Sequence, residues 1–115
     1  MVVDDRDSID KVFHALADAT RRDIVERVLQ HGSSVSALAQ RYTMSFAAVQ
    51  KHVAVLESAG LITKERRGRE QIVTADINTV RRAARLLDEL EAIWRRRIDS
   101  IGDLLAEPEE GTACP

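Results

Sequence analysis

At 115 residues, 44% hydrophobic and 31% charged, the chain suits one globular domain; aromatics at 3% leave a core of Leu, Ile, Val and Ala, which favours helices. No apolar run approaches the ~18 residues that span a bilayer, and the opening MVVDDRDSID is too acidic for a secretory signal, so a cytoplasmic protein without membrane association is expected. Cys114 is the single cysteine and can form no internal disulfide; in the acidic EPEEGTACP it reads as an exposed thiol rather than a redox or metal group. The net charge of −2 hides an uneven distribution. Between residues 31 and 75 the cations Arg41, Lys51, Lys64, Arg66, Arg67 and Arg69 outnumber Glu57, Glu65 and Glu70, while acids outnumber bases on both sides.

In chain order, Ser8 can cap a short helix whose apolar positions Ile9, Val12, Phe13 and Leu16 follow helical spacing. Asp18 is a second N-cap, opening ATRRDIVERVLQHG, where Ile24, Val28 and, at the margin, Val25 and Leu29 face inward and Gly32 supplies the stop. SSVSALAQRYTMS then gives Ser34 as N-cap, Val35, Leu38 and Ala39 as a buried side, and a turn through Tyr42, Thr43 and Met44. Ser45 caps the next helix, over residues 45–59, and Gly60 ends it. Two short helices joined by three or four residues form a helix-turn-helix pattern.

The second of these helices has an ordinary inner stripe, Val49, Val53 and Leu56, and an outer face that is nearly bare. Ala47, Gln50, Lys51, Ala54 and Ser58 point outward, without the Glu/Lys ladder of a merely solvated helix. After it, LITKERRGREQIVTAD places β-prone residues on both sides of RRGRE. Strands near 62–67 and 70–75 with Gly68 in the turn make a two-stranded hairpin whose tip carries Arg66, Arg67 and Arg69: a wing.

From Ile77 a long helix follows with no Gly or Pro before Gly102. Val80, Leu87, Trp94 and Ile101 recur every seven residues, with Ala84, Leu90, Ile98 and Leu105 filling in the same side. So long a helix exceeds the needs of its own domain, and the economical partner is a second copy. Residues 1–106 thus form one mainly α winged helix-turn-helix domain with minor β content, and 107–115 an unstructured tail.

FHALADATRRDIVERVL, VSALAQRYTMSFAAVQKHVAVLESAGLI and KERRGREQIV, taken together, resemble the ArsR/SmtB family of bacterial winged helix-turn-helix repressors over roughly residues 8–105. The most specific pieces are LADATRRDIV, the frame from Ser45 to Ile62, and the Arg/Gly wing. The resemblance implies a homodimer built through the first and last helices, here Val12, Phe13 and Leu16 with Leu87, Leu90, Trp94, Ile98 and Ile101, with paired recognition helices on double-stranded operator DNA. It also implies what is missing. Where metal-binding members carry third-helix cysteines this chain reads SSVSALAQ, and its last helix contains no His, so neither a metal nor another cofactor is expected. His14, His31 and His52 read as structural. Trp94 and Arg95 to Arg97 resemble a cluster that could serve an effector, although interface packing with solvated arginines is the plainer reading; a small-molecule inducer stays open as a partner.

The major groove, about 12 Å wide, admits a helix whose side chains are small near the base edges. Ala47 allows close approach, Gln50 can pair with adenine, and Lys51 can reach guanine or phosphate. Ser45 and the first-turn N–H groups can hold a phosphate. Phe46 either touches a thymine methyl or packs inward. Arg66, Arg67 and Arg69 suit an adjacent minor groove, and Arg41 and Lys64 suit phosphates. Catalysis is not expected, because no Ser/His/Asp set, phosphate-binding Gly loop or paired inward carboxylates can be assembled. Two alternatives stand beside a dimeric repressor on an imperfect inverted repeat: a protein-interaction module using the same helices, and a redox- or ligand-responsive form of the regulator.

Overall fold

The computed structural model describes residues 5–113, with side chains over 6–105. The chain runs α1 (Asp5–Leu16), α2 (Ala19–Gln30), β1 (Ser33–Ser34), α3 (Val35–Ala39), α4 (Phe46–Ser58), β2 (Ile62–Arg67), β3 (Glu70–Ala75) and α5 (Ile77–Ala113). It divides into two compact units, residues 1–83 and 84–115.

Three of the helix starts are set by short polar side chains, as the sequence predicts. Asp18 Oδ1 accepts from the Arg21 N–H at 3.0 Å. Ser34 Oγ accepts from Ala37 N–H at 3.0 Å, and Ser45 Oγ from Ala48 N–H at 3.1 Å. Each oxygen accepts from, and so satisfies, one of the orphan N–H donors of a first turn. α1 is the exception: it begins at Asp5, so Ser8 lies inside it, where its hydroxyl accepts from Arg82 Nη2 at 3.2 Å.

The end of α4 shows why Gly60 is there. Its φ is +81°, the Leu61 N–H reaches back to Leu56 O at 3.0 Å and the Gly60 N–H to Glu57 O at 3.0 Å. This is a Schellman motif, completed by the fully buried pair Leu56 and Leu61. Thr79, buried in the first turn of α5, donates its hydroxyl to Gly60 O at 2.7 Å and fixes the turn from outside.

The sheet has order β1-β3-β2, all antiparallel, so the expected two-stranded wing gains a third strand. β1 pairs Ser33 with Val73 and Ser34 with Ile72. Gly32 serves this strand rather than stopping α2 with a left-handed turn: a Cβ there would lie 3.3 Å from both Thr74 Cγ2 and Val73 O. The hairpin of β2 and β3 runs from Ile62 opposite Ala75 to Arg67 opposite Glu70. Gly68, at φ +63°, is the one left-handed residue of its two-residue turn, the φ pattern of type II′.

Val12 and Ala15 of α1, Ile24, Val25 and Val28 of α2, Leu38 of α3, Val49, Val53 and Leu56 of α4, and Leu61, Ile62 and Val73 of the strands form one core. It is aliphatic, as the aromatic content requires. Val12 is fully buried in it, which corrects its assignment to a dimer interface; nothing of its side chain is left for a partner. Phe13 and Leu16 are half-buried against the same core. Leu29, read at the margin as inward-facing, is 43% exposed because α2 presents only Ile24, Val25 and Val28 to the core. The connection between α3 and α4 spans residues 40–45, longer than expected, since α3 ends one turn after its cap.

The α5 backbone is helical through Ala113, past Glu107, where the sequence predicts a tail. Elongating an established helix adds one hydrogen bond per residue fixed, so its end is weakly specified by composition. Cys114 lies outside the described residues.

Candidate nucleic-acid interface

α4 turns Val49, Val53 and Leu56 into the core and leaves Phe46, Ala47, Gln50, Lys51 and Ala54 exposed on its other side. Phe46 is 46% exposed at the helix start, so of the two roles open to it, inward packing is not the one adopted. Ser45 Oγ is engaged as an acceptor in the cap, which leaves its hydroxyl proton to donate to an anion. No charged ladder covers this face: beyond exposed Phe46 it presents Ala47 and Ala54 as short side chains beside Gln50 and Lys51.

Two polar clusters hold the helix-turn-helix in place, and neither is evident from residue spacing. In the first, the Tyr42 hydroxyl, in the connection before α4, donates to Asp23 Oδ2 of α2 at 2.6 Å; Arg27 Nε donates to the same oxygen at 2.9 Å. Hydrogen bonds from Tyr42, then Arg27, hold the Asp23 carboxyl below its ordinary range. Burial, reinforced by Asp23, pushes the Tyr42 phenol up to about 12.

The second cluster is built on Arg21. Its Nε donates to Ala15 O at 2.7 Å and its Nη2 to His14 O at 3.2 Å, so it satisfies carbonyls at the end of α1. Arg22 Nη1 does the same for Leu16 O at 2.8 Å. The remaining Arg21 nitrogen, Nη1, lies 3.3 Å from Nδ1 of half-buried His52 on α4. A guanidinium only donates, so Nδ1 is the acceptor in this contact, and the same nitrogen lies 4.0 Å from Asp18 Oδ1 at the start of α2. Arg21 thus ties α1, α2 and α4 together. That is the physical content of TRRDIV, and no periodicity in the sequence announces it.

The wing carries Arg66, Arg67 and Arg69, all exposed. Arg66 Nε donates to Gly68 O at 3.3 Å, and Arg67 approaches Glu65 at 3.5 Å with both side chains mostly in solvent. Such exposed pairs are worth little and give way readily to a phosphate. Lys64 differs: its ammonium sits 3.4 Å from Glu57 of α4, half-buried, so it links wing to helix before it can meet any phosphate. Arg41 is exposed beyond α3. Among the described residues, no group of three His, Cys, Asp or Glu side chains comes together as metal ligands would. No described helix is long and apolar enough to cross a membrane.

In the second unit, Leu87, Leu90, Trp94, Ile98 and Ile101 are between 44% and 59% exposed in the single chain. Ile93 at 55% and Leu104 at 65% join them, residues that the seven-residue repeat alone passes over because they flank the stripe.

A helical core, a helix-turn-helix and a β-wing define a winged helix-turn-helix domain. No family model matches the chain. The HTH-type transcriptional regulator Rv2034 of Mycobacterium tuberculosis is 31% identical over 105 residues, covering 91% of this chain and 95% of that protein. The solved structure of an ArsR-like transcriptional regulator from Rhodococcus sp. RHA1 matches with TM-score 0.77 at 32% identity, over 89% of this chain and 96% of that one. The homodimeric winged helix-turn-helix DNA-binding domain of a possible ArsR-family regulator from Mycobacterium bovis shares the fold at TM-score 0.62 and 24% identity, over 79% and 90% of the two chains. The chain belongs to the ArsR family of winged helix-turn-helix transcriptional regulators.

Proposed function

We propose that the protein is a dimeric repressor that binds an imperfect inverted-repeat operator by placing α4 in the major groove and the wing beside it. The observation that carries this reading is the outer face of α4. Ala47 and Ala54 hold the helix surface low, Gln50 and Lys51 rise from it, and the wing arginines stand exposed after it. In this reading Gln50 reads a base edge, Lys51 reads guanine or binds phosphate, and exposed Phe46 meets a thymine methyl. Ser45 and Arg41 hold backbone phosphates, Lys64 does so on leaving Glu57, and Arg66, Arg67 and Arg69 enter the minor groove.

The dimer reading draws on the exposed apolar stripe of α5 and on the homodimeric relative from Mycobacterium bovis. Phe13 and Leu16 would add what they leave uncovered on α1. Two copies would then present two α4 helices about one DNA turn apart, and repression would follow from occlusion of a promoter. Mobility-shift titration on the DNA upstream of the coding sequence tests the reading: a saturable, competitor-resistant shift supports it. Failure to shift any upstream fragment would instead favour a protein-interaction module, for which exposed Phe46 would be the anchor.

A further inference from the structure

Between the end of α2, β1 and α3 the chain leaves a cavity of about 270 Å3. Buried Leu38 forms part of its wall, and the polar side chains around it are Arg27, Gln30, His31, Ser33 and Arg41. Ser33 is already engaged, donating its hydroxyl to Ser34 O at 3.2 Å. The other four offer N–H donors, and among the described residues no carboxylate lines the space. Its volume lies just under the ~300–1,000 Å3 of ordinary small-molecule sites, so an occupant has few heavy atoms.

The charge balance defines that occupant further. Asp23 is the carboxylate beside this group, and its Oδ2 takes Arg27 Nε at 2.9 Å and the Tyr42 hydroxyl at 2.6 Å. Arg41 also acts on Asp23 by its charge. One carboxylate thus answers two guanidiniums, and positive charge is left over at the cavity. A guanidinium carries five N–H donors, of which Asp23 takes one from Arg27. Donors set on two elements, α2 and the connection after α3, suit an anion with oxygens on several sides. A tetrahedral phosphate has them, and a planar carboxylate does not.

We propose that this cavity is a phosphate site, taking inorganic phosphate or the phosphate of a compact metabolite between Arg27, His31 and Arg41, and that its occupant opposes DNA binding. The second half rests on the operator reading above. There Arg41 holds a backbone phosphate; a phosphate in the cavity takes that guanidinium and sets a negative charge beside the approaching backbone. Through Arg27 it also competes for the Asp23 link that anchors Tyr42 ahead of α4. The two ligands therefore weaken each other by the same factor. A duplex phosphate, tied to its neighbours on either side, reaches exposed Arg41 at the rim. It does not enter a recess bounded by half-buried Arg27 and buried Leu38, so the free anion is the occupant.

The test uses the full chain. Isothermal titration calorimetry of inorganic phosphate, without DNA and with ionic strength matched by chloride, should give a saturable one-site isotherm. Gln30→Ala and His31→Ala, both at exposed positions, should each weaken binding roughly tenfold, the size of a lost hydrogen bond to a charged group, and Arg27→Gln should abolish it. The two alanine variants keep the test valid even if Arg27→Gln folds poorly for want of its tie to Asp23. In mobility shifts on the upstream DNA, phosphate should lower affinity more than chloride of equal ionic strength, and His31→Ala should lose that excess. No saturable binding to the wild-type chain, or binding that all three variants leave unchanged, would overturn the site. So would variants that weaken DNA binding in a chain that takes up no free phosphate, which would make the cavity a backbone contact. An isotherm with no excess effect on the shift would overturn the opposition to DNA. Saturable phosphate binding by a chain that shifts no upstream DNA would keep the site and remove only the operator reading.

Discussion

The hydroxyl of Tyr42 donates a 2.6 Å hydrogen bond to Asp23, joining the connection before α4 to α2 across nineteen positions of sequence. A hydrogen bond to a charged acceptor contributes about 1.5–3 kcal/mol. Tyr42→Phe should therefore destabilise the fold by roughly 1–2 kcal/mol, because the site is only half-buried, and should loosen the approach to α4. Urea denaturation measures the first effect.

Tyr42 is the single tyrosine of the chain, so phenolate absorbance follows it alone. Titration of the folded protein should place it at about 12 instead of the ordinary 10.0. Its raised value means that the stability it contributes is complete below the unfolded pKa and is lost as pH rises through the folded one. Asp23 has the opposite sign. Its lowered value gives stability present above the unfolded carboxylate pKa and lost as pH falls through the folded one, so the gap between wild type and Tyr42→Phe should narrow in acid.

Arg21→Ala should destabilise by about 1–3 kcal/mol, since it strips the carbonyls of Ala15 and His14 and leaves His52 without its donor. Arg21→Lys should recover little of this, because one ammonium cannot reproduce a planar fork aimed at three acceptors. Thermal melts of the two variants make the comparison.

Gly60→Ala should cost about 1–2 kcal/mol, the penalty for a Cβ in a left-handed conformation. The strain comes from the backbone rather than from crowding, since the nearest atom to an added Cβ is Thr79 Oγ1 at 3.5 Å. Changing Thr79 to Val should therefore not relieve it; a double-mutant cycle in denaturant checks this.

What was legible in the sequence is what local chemistry decides. Asp18, Ser34 and Ser45 cap helices because a short side-chain oxygen three residues before an N–H has few competing uses, and Gly60 and Gly68 mark the places where φ must be positive. The inner stripe of α4 followed from its spacing. β1 did not, because two residues carry no period and Ser34 already serves as the cap of α3. Val12 and Phe13 are adjacent on a helix whose apolar face is wide, and no pattern divides what serves the chain's own core from what is left for a partner. The Arg21–His52 and Tyr42–Asp23 links pair residues distant in sequence, so only the fold discloses them. They explain positioning of the candidate interface, whereas its surface residues were legible as small Ala47 and Ala54 beside Gln50 and Lys51 with no charged ladder.

On the DNA side, Gln50→Ala should weaken operator binding by about 1–3 kcal/mol and relax sequence preference. Arg67→Ala should weaken binding across sequences and lower the salt slope by about one. Gel-shift titrations over a salt series separate the two behaviours.

If paired α4 helices enter successive major grooves of one operator, as proposed, the protein should leave a symmetric footprint. Hydroxyl-radical footprinting of the full chain on its upstream DNA tests it most directly. Two protected patches related by a two-fold axis, centred about one helical turn apart, should appear and should fade together with Gln50→Ala. A single uninterrupted patch without symmetry, or protection that Gln50→Ala and Lys51→Ala both leave unchanged, would contradict it.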